Sequence, residues 1–97
     1  MDVNRISEME NYLNECTSAA AALSGQLDRM EALGDGMTRL FGYYGSPEWY
    51  EDRDGELPEG VRAGVLSEDL VYDLISEVRD LAIRMIELSA DILKNRI

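Results

Sequence analysis

The chain contains no histidine, one cysteine and two prolines among its 97 residues. Each scarcity excludes something. Without imidazole, a serine or cysteine nucleophile lacks its usual base, and the Glu-x-x-His sets of di-iron bundles cannot be assembled. Zinc needs groups of Cys and His that are not present, and there is no glycine-rich phosphate loop with its lysine. Cys16 has no partner for an internal disulfide; it falls in an apolar register and reads as a small packing residue. Lysine and arginine number 9 against 20 aspartates and glutamates, a net charge of −11, and the acid is spread along the whole length. No basic cluster stands ready to displace counterions from a nucleic acid or to meet anionic lipid, so neither is an expected partner. No apolar run approaches the roughly 20 residues that span a bilayer. Residues 1–5 lack the basic start and apolar run of a signal peptide, which makes the cytoplasm the expected compartment.

What is present is helical periodicity. Ile6, Met9, Leu13, Cys16, Ala20, Leu23, Leu27, Met30, Met37 and Phe41 recur at alternating spacings of three and four, interrupted only at Gly34. That pattern puts apolar groups on one side of a helix over residues 1–41. Asp2 or Asn4 could cap its start, and Ser7 with Glu10 also fits a capping box, one that would leave Ile6 outside the helix. Gly34 and Gly36 each cost about 1 kcal/mol relative to alanine inside a helix, so a kink or break is expected at 34–36. A second stripe, Val71, Leu74, Val78, Leu81, Met85, Leu88 and Ile92, is widened by Ile75, Ala82 and Leu93 and predicts a final helix over 67–97. Ser67 suits its N-cap, with Glu68 and Asp69 against the positive end of the dipole.

The connection, residues 42–66, is rich in turn signals: Asp54-Gly55, Leu57-Pro58, Glu59-Gly60 and Ala63-Gly64. Ser46-Pro47 reads as an N-cap followed by the first helical position, predicting a short helix over 47–52. Five of the seven aromatic residues, Phe41, Tyr43, Tyr44, Trp49 and Tyr50, fall within ten positions, and Tyr72 follows on the final helix. Such rings either close a small core or form a recognition surface. A small domain needs every large side chain it has, which favours the first use. For the second, Tyr43, Tyr44, Trp49, Asp52, Asp69 and Tyr72 are the candidate binding residues. A calcium loop around Gly55 fails, because alignment on that glycine puts Tyr50 at the first ligand position and Val61 at the twelfth.

The segments Tyr43-Tyr44-Gly45-Ser46-Pro47-Glu48-Trp49, Leu57-Pro58 and Gly64-Val65-Leu66-Ser67-Glu68-Asp69, with Tyr72-Asp73-Leu74 behind them, resemble the bacterial family called domain of unknown function 4298. The resemblance extends over nearly the whole chain, including Arg5-Ile6 and Met9-Glu10. It implies a small helical bacterial protein and carries over no activity.

The expected architecture is therefore all-α. Two long amphipathic helices form an antiparallel hairpin, joined by a short helix and an aromatic loop, and a second copy completes a four-helix bundle, because a bare hairpin leaves apolar area uncovered. In that packing Leu27, Leu74 and Leu81 leave solvent. The leading functional expectation is a non-catalytic protein-interaction or adaptor module that uses its aromatic loop or acidic surface. The second is a small-molecule binder with a pocket lined by Tyr44, Trp49 and Tyr72. The weakest is an enzyme working on carboxylates and tyrosines alone, with no cofactor and no metal; helix capping accounts for Glu68 and Asp69 more economically.

Overall fold

A computed structural model describes all 97 residues and contains helices and turns but no strand. The α-helices are α1 (Val3–Ala32), α2 (Gly34–Tyr43), α3 (Pro47–Asp54) and α4 (Leu70–Asp91). A 3-10 turn, Gly64–Leu66, precedes α4, and a π turn, Ile92–Arg96, follows it. The chain divides into two compact units, Met1–Met37 and Thr38–Ile97. No helix is long and apolar enough to cross a membrane.

The first unit is essentially α1. Asp2 caps it: its backbone is extended and its side chain accepts the Arg5 N–H at 3.0 Å, satisfying one of the donors that a helix start leaves unpaired. Arg29 lies in the last turn, where the dipole favours a cation. The helical run pauses at Leu33, one residue before the glycine pair at 34 and 36. Leu33 N–H still reaches the Arg29 carbonyl and Met37 N–H the Leu33 carbonyl, so the helical hydrogen-bond pattern is nearly unbroken into α2. At about 1.5 Å per residue, the 30 residues of α1 extend about 45 Å. None of them is buried.

The second unit holds the two buried residues of the chain, Trp49 at 2% exposure and Val71 at 4%. Trp49 comes from α3 and Val71 from the first turn of α4, so the core is a small knot where the connection folds back on the start of the last helix. Ser46 caps α3 by accepting the Trp49 N–H at 3.2 Å, with Pro47 in the first turn. Gly45, at φ +76°, makes the left-handed step between α2 and α3 that a residue with a Cβ takes only at a cost.

Two expectations need correcting. The final helix does not begin at Ser67 but at Leu70, and Ser67 is not its N-cap. Val65 and Leu66 belong to the 3-10 turn, Ser67 is extended, and its hydroxyl oxygen accepts the Asp69 N–H two residues on, at 3.2 Å. Nor does one chain take the stripe leucines out of solvent. Leu27, Leu74 and Leu81 keep 40%, 39% and 40% exposure. In the second unit, buried positions on α4 stop at its first turn.

Candidate functional site

The densest set of directed interactions lies on α3 and the residues around it. The Trp49 ring meets Tyr44 and Tyr50 edge-on, at centroid distances of 5.2 and 4.9 Å. Its indole N–H donates to the Val65 carbonyl at 2.9 Å, which ties α3 to the 3-10 turn and leaves no polar atom of the buried ring unpaired. The Tyr44 hydroxyl donates to the Glu68 carbonyl at 2.7 Å. Arg53 stands one helical turn beyond both rings, its guanidinium 4.9 Å from the Trp49 ring centre and 5.0 Å from that of Tyr50. The same guanidinium donates to the Glu68 carboxylate at 3.0 Å. Rings, cation and carboxylate thus form a continuous clasp across α3, the 3-10 turn and the approach to α4.

Beside this clasp opens a cavity of about 440 Å³. Tyr43 and Asp52 stand on its wall with the apolar groups Leu57, Val61 and Leu66 and the cation Arg62. The Tyr43 hydroxyl donates to Asp52 Oδ2 at 2.6 Å. That bond, made to an acceptor that is negatively charged, pushes the Tyr43 phenol up to about 12. Desolvation and the nearby charges of Asp52 and Glu48 act in the same direction. Tyr43 is therefore a held proton donor rather than a base at neutral pH.

The six candidate residues meet different fates. Tyr43 and Asp52 are brought together on the cavity wall. Tyr44 and Trp49 are turned inward and hydrogen-bonded, so the ring of Trp49 is part of the core rather than a contact surface. Tyr72 is 62% exposed, and neither it nor Asp69 lines the cavity. None of Tyr44, Trp49 and Tyr72 lines this cavity. Asp52 lies on α3, which continues two residues past the end expected at 52, to Asp54. Arg53 did not emerge from the sequence, although its spacing of three and four residues from Tyr50 and Trp49 places it on their side of a helix. Leu57, Val61, Arg62 and Leu66 carry no comparable signal, since no regular period runs through that segment.

The class of protein so defined is an all-α domain with a small aromatic core and long amphipathic helices. The family described as Domain of unknown function (DUF4298) matches residues 6–88, and the chain belongs to it. No curated protein and no solved structure matches the chain.

Proposed function

We propose that this is a non-catalytic protein-interaction module, of the adaptor kind, whose contact surfaces are its helix faces. The observation that carries this reading is α1. It aligns Ile6, Met9, Leu13, Leu23, Leu27 and Met30 along one side, and every one of them keeps between 38% and 58% exposure. Helices in water draw most of their stability from burying an amphipathic face, so a helix with no buried residue calls for a protein surface to cover it. On α4 and the π turn behind it, Leu81, Met85, Leu88 and Ile92 are similarly uncovered. The aromatic loop serves as internal support, holding α3 to the start of α4, rather than as the contact itself.

The assembly that covers both stripes is a four-helix bundle built from α1 and α4 of two copies, with α1 running antiparallel to α4. Sedimentation equilibrium at micromolar concentration tests it. The expected mass is twice 10.9 kDa, and Leu23→Glu together with Leu81→Glu should return the protein to a monomer. A wild-type monomer under the same conditions would sink the reading.

A second reading, a small-molecule binder, is favoured by one observation, the cavity beside Tyr43 and Asp52. Its size falls within the range of ligand pockets, and its wall sets Leu57, Val61 and Leu66 beside Tyr43, Arg62 and the carboxylates of Glu51, Asp52 and Glu56. A thermal-shift screen with wild type and Leu66→Trp, which would fill the cavity, tests it: a stabilising compound should lose its effect on the variant.

A further inference from the structure

The apolar seam of α1 is symmetric in side-chain size about the level of Ser18. Cys16 and Ala20, the two small members, lie two residues to either side of that level. Leu13 and Leu23 lie five residues away, Met9 and Leu27 nine, and Ile6 and Met30 twelve. A helix with this arrangement is complementary to itself when turned end for end. We infer that α1 of one copy packs antiparallel on α1 of a second copy, with the two-fold axis at the level of Ser18. This rests on the dimeric reading above and specifies its central contact.

In that register Cys16 faces Ala20 of the second copy, Leu13 faces Leu23, Met9 faces Leu27 and Ile6 faces Met30, and the same pairs repeat across the axis. Large meets large and small meets small in eight layers over about 36 Å of helix. The thin centre lets the two backbones approach closely, while the bulky ends interlock.

Charge agrees with this occupant. The chain carries −11, so a self-association seam must keep acid from acid. The positions flanking the seam do so. Glu10 falls beside Ser24 of the second copy, Glu31 beside Val3, Arg5 beside Leu33, and Tyr12 beside Gln26. Glu8, Glu15 and Asp28 lie on the far side of the helix.

A parallel pairing fits less well. Two-stranded parallel coils favour β-branched residues at alternate seam positions with leucine between them. Here Ile6 is the single β-branched residue of the seam, and methionine, cysteine and leucine occupy the alternate positions. A parallel pair would also align the helix dipoles. The antiparallel pair opposes the two dipoles instead.

Disulfide trapping in the full chain tests the register. Three proteins are compared under mild oxidation: wild type, Cys16→Ser with Ala20→Cys, and Ala20→Cys retaining Cys16. Sedimentation of the reduced proteins first establishes whether each is a dimer. In the antiparallel register, position 16 faces position 20, whereas like positions are offset by four residues, about 6 Å along the axis, too far for a bridge. The expected result is a shift to covalent dimer for the variant holding both cysteines, and no shift for the two single-cysteine proteins. Dimers in which the single-cysteine proteins cross-link as readily would be parallel and would overturn the inference. Dimers in which none cross-links would place the contact elsewhere and overturn it equally. A reduced monomer would instead defeat the dimeric reading on which it rests.

Discussion

Trp49 and Val65 are joined by a 2.9 Å bond from the indole N–H to the backbone carbonyl, and that one contact fastens α3 to the turn ahead of α4. The ring is 2% exposed, so replacing it removes both a core and a latch. Trp49→Ala should cost about 3–5 kcal/mol from cavity formation. Trp49→Phe keeps a ring but leaves the carbonyl without its donor, for a smaller loss of about 1–3 kcal/mol beyond any repacking. Urea unfolding followed by circular dichroism measures both. A Trp49→Phe variant as stable as the wild type would mean that the hydrogen bond contributes nothing, and equal losses for the two variants would mean that burial of the ring adds nothing beyond it.

The Tyr43 phenol gives a pH prediction. Its pKa in the folded protein, about 12, is above the ordinary value of 10.0. A group raised in this way contributes stability that is fully present below pH 10 and is lost as the pH rises through 12. In an ultraviolet titration of the native protein, one tyrosine should ionise near 12. Asp52→Asn, which removes the charged acceptor, should bring that step back toward 10. An unchanged titration curve in the variant would dissociate Tyr43 from Asp52.

Arg53 joins two kinds of contact that salt separates. Its pairing with Glu68 lies near the surface and is worth about 0.2–1 kcal/mol; its seat over the Trp49 and Tyr50 rings is worth about 0.5–1 kcal/mol at exposed sites. Glu68→Gln should therefore shift the unfolding midpoint less than Arg53→Ala. The Glu68 effect should shrink in 1 M sodium chloride while most of the Arg53 effect persists. If both effects vanish together in salt, the stacking carries no energy.

Two glycines should respond in opposite directions to alanine. Gly45 turns the chain at φ +76°, where a Cβ costs about 1–2 kcal/mol, so Gly45→Ala should lower the thermal midpoint of the second unit. Gly25 sits inside α1, and a Cβ there would meet nothing within 4 Å. Gly25→Ala should raise the helicity and stability of α1 by about 1 kcal/mol. Calorimetry of the two variants checks the signs.

The sequence by itself determined the helical class and the position of most elements, because a period of three and four residues is a local property of the chain. Asp2 and Ser46 could be read as caps for the same reason: each bonds an N–H three residues ahead. The pause at Leu33 falls one residue before the glycine pair, with i→i−4 bonds on both sides of it. What local rules could not supply was the destination of side chains across the irregular connection. Tyr43 meets Asp52 nine residues on, Tyr44 meets Glu68 twenty-four on, and Trp49 meets Val65 sixteen on; each depends on how Gly45 and the 3-10 turn route the backbone. Ser67 looked like a cap in sequence and became a turn residue: its backbone is extended, its N–H goes to the Gly64 carbonyl, and the helix begins at Leu70. Periodicity names the apolar face of a helix, but only tertiary structure decides what covers it, and within one chain the covered part reduces to Trp49, Val71 and their immediate neighbours.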